Sequence, residues 1–429
     1  MDTLNFGDRY DFTLFDSKVI CRVTIENILC KRIVLMTEWI KCQIGDLCNT
    51  ISDTYKGKDS LVVLVNTSDV LEGKVLNHKT VFNENLKGQF KKTFKKNDIL
   101  YSEIRPANKR FAFIDFENTS NYIASTKLMV LRPNDKVLPR YLFALLKSNH
   151  LISELQHLAE TRSGTFPQIT FSSELSRIPV LLPNKETQKK VIDILSCIED
   201  KIDLNLAINN NLEQQAEALF HLLFVEDVNP IWKEGVLSDL GTVVAGGTPS
   251  KAKPEYYSKK GIAWITPKDL SLNKSKFISH GEIDISELGF SKSSAIKMPT
   301  GTVLFSSRAP IGYIAIAANE VTTNQGFKSV VPNENVGTTF MYYLLKFLLP
   351  TIEGMASGST FKEISGAGMK SVPVVIPDNE TIDKFNAFCT PIFQHQEVLE
   401  AENSRLVDIR DTLLPKLMAG DLDISDIDL

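Results

Sequence analysis

Two stretches of the chain combine basic and aromatic side chains in a way that suits a polyanion. Residues 87–110 contain eight basic and two acidic residues, with three aromatic residues among them. Residues 251–276 contain seven basic and two acidic residues, again with three aromatic residues. Basic side chains neutralise phosphates, whereas side chains that reach base edges read sequence. The pattern therefore indicates nucleic-acid binding in two separate parts of the chain.

The side chains in and near these stretches divide into two expected roles, phosphate contact and base reading. A charged run can equally be a solvated face, and that alternative stays open for each residue. The expected phosphate contacts are Lys91, Lys92, Lys95, Lys96, Lys251, Lys253, Lys259, Lys260, Lys274 and Lys276. The expected base readers are Gln89, Arg105, Lys109, Arg110, Arg308, Asn324 and Gln325.

Patterns typical of catalysis are weak in this sequence. The glycines of residues 241–247 are spaced as in a phosphate-binding loop, but Gly247 stands where that loop needs Lys. Glu72-Gly73-Lys74 after Asp59 has the residue types of a metal-dependent nuclease, but the second half of the chain has no counterpart. Cysteines and histidines lack the spacing of metal ligands. The sequence therefore predicts no catalytic residues, metal or cofactor in this chain.

A repeat that spans the chain places one basic stretch in each copy. Short β-branched runs separated by Gly, Asn and Pro predict that each copy contains a mixed α/β domain. The repeated segments are Trp39 with Ile44–Leu47 against Trp232 with Leu237–Leu240, Ile99–Ser102 against Val303–Ser306, Ser163–Phe166 against Ser357–Phe361, and Ile178–Pro183 against Val372–Pro377.

Each copy ends in a stretch with the three- and four-residue apolar spacing of a long helix. Asn184 and Asp378 are placed to cap these helices, and Asn205, Asn209 and Glu402 fill polar positions in the apolar seam. We expect the two helices to pair antiparallel, although each could instead pack on its own domain. The predicted seam positions are Leu195, Ile198, Ile202, Leu212, Leu219, Leu223, Phe388, Ile392, Leu399, Leu406, Ile409 and Leu413.

Composition and charge narrow the class of protein. The chain has 429 residues, 43% of them hydrophobic and 9% aromatic, which is enough for two or three globular domains. Residues 184–227 and 378–429 carry formal charges of −5 and −8, so the remainder of a chain whose total is −4 carries +9. No apolar run is long enough to span a membrane, and the first residues lack a secretory pattern. We therefore expect a soluble cytoplasmic protein.

Taken together, these features resemble the specificity (S) subunits of Type I restriction-modification systems. The resemblance covers almost the whole chain and is most specific in the second copy, because the first copy has no Gly-Gly-Thr-Pro run. Its residues are Gly246-Gly247-Thr248-Pro249-Ser250, Gly301-x-Val303-Leu304-x-Ser306-Ser307-Arg308-Ala309-Pro310-Ile311-Gly312 and Leu417-Met418-Ala419-Gly420-Asp421-Leu422.

The resemblance implies an α+β fold, in which two mixed α/β target-recognition domains are separated by an antiparallel two-helix coiled coil with an internal pseudo-two-fold repeat. The expected regions are 1–183 for an N-terminal extension and the first recognition domain, 184–230 for the first long helix and a linker, 231–377 for the second recognition domain, and 378–429 for the second helix and an acidic tail.

The resemblance further implies a non-catalytic subunit for bacterial defence that reads a bipartite, asymmetric target in double-stranded DNA. Two methyltransferase (M) subunits would bind it, and two restriction (R) subunits can join. S-adenosylmethionine, ATP and Mg²⁺ would belong to those partners. Two alternatives stay open at this point, a related system whose partner fuses methyltransferase and nuclease, and a coiled-coil scaffold that does not bind DNA.

Overall fold

The computed structural model describes residues 39–84, 88–358, 362–422 and 424. The N-terminal extension expected before Trp39 therefore lies outside the described residues. The described residues form two compact units, the first from those up to Ile202 and those from Leu406 onward, and the second from Asp203–Arg405. This division passes through both long helices, whereas the boundaries expected from the sequence lie at their starts.

The strands follow the β-branched and aromatic runs of the sequence. In the first unit they are β1 Ile40–Gln43, β2 Cys48–Ile51, β3 Leu61–Val65, β4 Val70–Leu71, β5 Lys74–Val75, β6 Thr80–Phe82, β7 Phe90–Lys92, β8 Ile99–Ser102, β9 Phe111–Phe113, β10 Tyr122–Ser125, β11 Leu128–Pro133 and β12 Pro179–Leu182. In the second unit they are β13 Lys233–Val236, β14 Gly241–Ala245, β15 Tyr257–Ser258, β16 Trp264–Ile265, β17 Phe277–Ile278, β18 Asp284–Ile285, β19 Val303–Ser307, β20 Ile311–Ala317, β21 Thr322–Thr323, β22 Lys328–Pro332 and β23 Pro373–Ile376.

Two of the helices are much longer than the others, α3 with 37 residues and α10 with 41. The helices are α1 Pro139–Leu146, α2 Asn149–Arg162, α3 Lys185–His221, α4 Leu237–Leu240, α5 Pro267–Leu272, α6 Glu287–Ser291, α7 Thr338–Phe347, α8 Leu349–Met355, α9 Gly366–Lys370 and α10 Asn379–Ala419. None of the described helices combines the length and apolar character that crossing a membrane requires.

Side-chain caps set the starts of both long helices. Asn184 Oδ1 accepts a hydrogen bond of 2.9 Å from the backbone N–H of Thr187, and Asp378 Oδ1 accepts one of 2.9 Å from that of Thr381. Each cap satisfies a backbone donor that the first helical turn leaves unpaired. The caps predicted from the sequence are thus confirmed.

The two units share the order of four strands in one sheet and the pairing of the first strand with the last. The sheet order β2-β11-β8-β9 in the first unit corresponds to β14-β22-β19-β20 in the second, and β1 pairs with β12 as β13 pairs with β23. Asn134 Nδ2 donates to the backbone oxygen of Asp46 at 2.8 Å, and Asn333 Nδ2 donates to that of Asp239 at 2.9 Å. The sequence repeat is therefore a repeat of structure.

In each unit the long helices contribute to the core. In the first, Leu195 and Ile198 of α3 lie in one buried cluster with Leu406 and Leu413 of α10, and Ile202 and Ile409 pack against it. In the second, Leu212, Leu219 and Leu223 pack against a cluster that contains Ile392, and Leu399 is also buried. These are eleven of the twelve predicted seam positions.

Phe388 departs from the predicted seam. Its side chain is 47% exposed, whereas Phe385 and Cys389 are fully buried. The buried positions of α10 here include Phe385, Cys389, Ile392 and Gln396, which keep a spacing of three and four residues. The position between Phe385 and Ile392 that faces the core is therefore Cys389 and not its neighbour Phe388. The seam prediction for Phe388 is wrong.

Candidate nucleic-acid interface

In the first unit, three of the predicted base readers lie in the loop that joins β8 to β9. Arg105 and Lys109 flank a short 3₁₀ turn and have positive φ values of 44° and 51°. The Arg110 guanidinium donates to the backbone oxygens of Ser68 and Val70 at 3.0 and 3.3 Å. Arg110 therefore holds the loop in place, while the side chain of Arg105 is exposed to solvent.

A second segment supports this loop from behind. The backbone N–H of Ile169 donates to the oxygen of Glu103 at 2.8 Å, and that of Arg105 donates to the oxygen of Pro167 at 3.1 Å. Ile104 and Gln168 form an antiparallel bridge between the two segments. These bonds fix the direction in which the loop presents its side chains.

The other predicted contacts of the first unit differ in their availability. Lys92 is not free, because its Nζ donates to the oxygens of Thr126 and Leu128 at 3.0 and 2.8 Å, and burial lowers its pKa. Lys96 and Lys109 form ion pairs with Glu117 and Glu72 at 2.5 and 3.7 Å. The predicted residues with exposed side chains, besides Arg105, are Gln89, Lys91, Lys95 and Lys96.

In the second unit, the loop that contains Gly246 and Gly247 packs tightly against β21 and the residues that follow it. The backbone N–H of Gly247 donates to the oxygen of Thr323 at 2.8 Å, and Trp264 Nε1 donates to the oxygen of Gly247 at 3.0 Å. A Cβ on Gly246 would overlap the backbone oxygen of Asn324. Only glycine permits this approach.

The glycine loop positions two of the predicted base readers. Thr248 Oγ1 and Gln325 Oε1 are hydrogen-bonded, and Gln325 is exposed. Asn324 Oδ1 accepts a hydrogen bond of 2.8 Å from the backbone N–H of Gly326, so its oxygen stabilises the turn. Gln325 is therefore better placed than Asn324 to meet a base edge.

The lysines of the second unit that were predicted to contact phosphates lie on its surface with one exception. Lys251, Lys253, Lys259, Lys260 and Lys274 are exposed. Lys259 and Lys260 line a cavity of about 410 Å³, together with Gly261, His280 and Asp284. Lys274 Nζ lies 4.9 Å from the centroid of the Tyr313 ring, and Lys253 Nζ lies 3.6 Å from Glu255.

Lys276 is the exception, and its predicted role in phosphate contact is wrong. Its residue is only 8% exposed, and its Nζ forms an ion pair with Glu213 of α3 and donates to Gln396 Oε1 of α10 at 2.7 Å. Lys346 and Tyr343 also bond to Glu213, at 2.8 and 2.9 Å. Burial raises the pKa of Glu213, but the two lysines outweigh burial and hold it at about 2.

Arg308 lies beside two residues that the sequence did not single out. Its Nη1 donates to Glu363 Oε2 at 3.3 Å, and Lys328 Nζ lies 3.6 Å from Glu363 Oε1. Glu363 follows the Ser-Gly-x-Thr-Phe segment that the sequence repeats. The repeat could have pointed to Glu363 as a neighbour of Arg308, because in the first unit the corresponding segment supports the β8–β9 loop.

The structure assembles no metal site among the residues it describes, since no group of three His, Cys, Asp or Glu side chains there could hold an ion. The nuclease-like residues also have separate partners. Asp59 accepts a hydrogen bond of 2.8 Å from the Tyr55 hydroxyl, and Glu72 pairs with Lys109.

Comparisons with known proteins agree with this arrangement. Residues 36–214 and 230–397 match the family described as Type I restriction modification DNA specificity domain. The Type I restriction enzyme HindI specificity subunit of Haemophilus influenzae is 32% identical over 465 aligned positions, which cover 90% of this chain and 100% of the relative. The Type I restriction enzyme MjaIX specificity subunit of Methanocaldococcus jannaschii is 41% identical over 155 residues, 36% of each chain.

A solved structure shares the fold. The crystal structure of the Type I restriction-modification system S subunit from M. genitalium has a TM-score of 0.56 and 19% identity, over 90% of this chain and 98% of that one. Together with the mixed helix and strand content, this likeness shows the α+β fold that the sequence predicts.

Proposed function

The chain belongs to the Type I restriction-modification DNA specificity family, and we propose that it reads a two-part, asymmetric target in double-stranded DNA. The observation that carries this proposal is the repeat of strand order between two units whose exposed loops differ in sequence. Two copies of one scaffold with different loops suit two readers of different sequence. Each unit then contacts one part of the target, and the two parts need not be alike.

In this proposal, lysines that contact phosphates provide the affinity for DNA, and a smaller set of side chains that contact bases selects the sequence. In the first unit these are Lys91 and Lys95 for phosphates and Arg105 for bases. In the second unit they are Lys251, Lys259 and Lys260 for phosphates, with Arg308 and Gln325 for bases. All of them are exposed except Arg308, whose side chain is 38% exposed, and this exposure supports the proposed roles.

The two long helices are proposed to act as the spacer between the readers and as the docking site for partner subunits. Support comes from the second unit, where Asn205 of α3 bonds to Glu402 of α10 and the backbone oxygen of Asn209 accepts from Gln396 at 3.1 Å. Residue numbers rise along α3 while they fall along α10, so the helices run antiparallel there. Segments 184–227 and 378–429 carry −5 and −8, and this charge disfavours phosphate contact.

The chemistry of modification and cleavage is assigned to partners. We propose that two M subunits dock on the helices and that two R subunits join the complex. S-adenosylmethionine serves methylation in the M subunits, and ATP and Mg²⁺ serve the R subunits. This chain itself supplies sequence selection and no catalytic group.

The test is DNA binding by the chain purified with its M subunits, measured over a series of salt concentrations. We expect sequence-specific binding, and the logarithm of its association constant should fall linearly with the logarithm of the salt concentration. The double variant Lys259→Ala, Lys260→Ala should reduce that slope by about 2, since each phosphate contact contributes about 0.9. Lys384→Ala, which removes an exposed lysine paired with Glu380 on α10, is the matched control and should leave the slope unchanged. Binding that ignores DNA sequence would overturn the proposal.

A further inference from the structure

Two loops, one in each unit, share a positive φ before a proline and a supporting backbone hydrogen bond, but differ in their side chains. Arg105 and Ala309 both have positive φ, 44° and 55°, and both precede a proline. Ile169 N donates to Glu103 O at 2.8 Å in the first unit, and Ile364 N donates to Ser307 O at 3.1 Å in the second. These equivalences place Ile104 at the same position as Arg308.

Each of these positions faces a partner on the supporting segment. Ile104 forms an antiparallel bridge with Gln168, and Arg308 forms one with Glu363. Side chains that oppose each other in an antiparallel bridge lie on the same face. All four residues are partly exposed. Each unit therefore presents a two-residue surface with a fixed backbone, Ile104 with Gln168 in one unit and Arg308 with Glu363 in the other.

The two side-chain pairs differ in their hydrogen-bonding and apolar groups, and base pairs differ in the groups that they present in the major groove. In the major groove, guanine offers the acceptors O6 and N7 and cytosine offers the N4 donor, so that an arginine beside a carboxylate matches a G·C pair. Adenine accepts a bidentate contact from Gln, and the thymine methyl group favours an apolar neighbour. A glutamine beside an isoleucine therefore matches an A·T pair.

The ion pair in the second unit leaves this capacity intact. Arg308 uses Nη1 for its bond to Glu363, and the other donors of a guanidinium remain for a ligand. The side chains of Arg308 and Glu363 are 38% and 36% exposed. Lys328 lies close to the other carboxylate oxygen of Glu363 and steadies it from the interior, where Lys328 is 8% exposed.

The backbone conformation at one residue of each loop also supports a reading role. A positive φ is uncommon for residues other than glycine and is retained where surrounding structure enforces it, often at functional sites. Both loops have it at the residue after the differing side chain. A shared positive φ and a shared supporting hydrogen bond beside exchanged side chains suit a reading position, because the support of that position stays the same while the base it accepts changes.

We infer that Ile104 with Gln168 and Arg308 with Glu363 are equivalent base-reading pairs, the first selecting an A·T pair and the second a G·C pair. This inference rests on the proposed function. It assigns one base pair of the target to each unit and identifies Gln168 and Glu363 as specificity-determining residues.

The test exchanges the pairs. In the purified complex, Arg308→Ile with Glu363→Gln gives the second unit the side chains of the first. Binding is measured with duplexes in which one base pair of the wild-type target at a time is varied. We expect one position of one half to change its preference from G·C to A·T, with discrimination of about tenfold or more. The reverse variant, Ile104→Arg with Gln168→Glu, should change one position of the other half.

A milder variant guards against loss of folding. Arg308→Lys keeps the charge beside Glu363 but loses the bidentate geometry, and should lower discrimination at the same single position while the melting temperature stays unchanged. Lys251→Ala is the control and should weaken binding equally for all duplexes. Folded variants whose preference is unchanged at every position would overturn the inference. A wild-type complex with no sequence preference would instead overturn the proposed function.

Discussion

Asn205 of α3 donates a hydrogen bond of 2.8 Å to Glu402 Oε2 of α10, and Asn205 is fully buried. Its Nδ2 also donates to Asn403 Oδ1 at 2.9 Å. A buried polar contact between two otherwise apolar helix faces specifies their register, because any shifted register leaves the polar groups unpaired. Both Asn205 and Glu402 were predicted as polar positions of the seam.

Two replacements of Asn205 should have different effects on the stability of the second unit and on the register between α3 and α10. Asn205→Ala removes the buried donor and should destabilise the second unit by about 1–3 kcal/mol. Asn205→Leu should recover or exceed the original stability while the register becomes less specific. Urea unfolding measures the first effect, and Asn210→Ala, on the exposed side of the same helix, is the control with a change near zero. Equal effects of the two alanine variants would contradict a structural role for Asn205.

Glu213 should matter more than its exposed neighbour on α3. Glu213→Gln leaves the buried ammonium group of Lys276 without its counter-charge, and breaking a buried pair costs about 3–5 kcal/mol. Glu217 pairs with Lys346 at 3.3 Å, but its side chain is 57% exposed, so Glu217→Gln should cost less than about 1 kcal/mol. Thermal unfolding of both variants decides this.

The same carboxylate predicts a pH dependence. The pKa of Glu213 is held at about 2 in the folded chain, below the ordinary value of 4.5. Stabilisation by its ionised form is therefore complete above about pH 4.5 and is lost as the pH falls toward 2. The difference in free energy of unfolding between wild type and Glu213→Gln should therefore shrink as the pH falls over that range. A difference that stays constant would show that the ionised form of Glu213 does not stabilise the folded chain through its pair with Lys276.

Two glycines provide a matched pair in the second unit. Gly246→Ala should displace Asn324 and Gln325, because the new Cβ would overlap the backbone oxygen of Asn324, and we expect a cost of about 1–3 kcal/mol together with weaker DNA binding. Gly354→Ala adds a methyl group within α8 where no atom lies within 4 Å, so stability should rise slightly. Comparable losses in both variants would contradict the packing argument.

The proposed spacer role of the helices predicts that their length sets the spacing of the target. Adding one heptad to α3 and one to α10, at positions that face each other, lengthens the pair by about 10 Å. The preferred target should then have a longer interval between its two parts, with the bases of each part unchanged. Methylation or binding assays on targets of graded spacing measure this, and an unchanged interval would refute the spacer.

Local patterns in the sequence predicted a large part of the fold. The displacement of Trp232 from Trp39 established the repeat, and Asn184 and Asp378 marked the helix starts, because repeats and caps are local patterns. The burial of Lys276 was missed since its counter-charge Glu213 is 63 positions away. The pairing of Arg308 with Glu363 was missed for the same reason, because a bridge across 55 positions leaves no spacing in the chain.

The most direct test of two separate readers replaces residues 231–377 with the corresponding residues of a family member that recognises a different target. The methylated sequence of a host that carries the hybrid is then compared with that of the original and with that of a host lacking the gene. One part of the two-part motif should change while the other part stays the same. A hybrid that alters both parts, or one that methylates the original motif, would contradict the account.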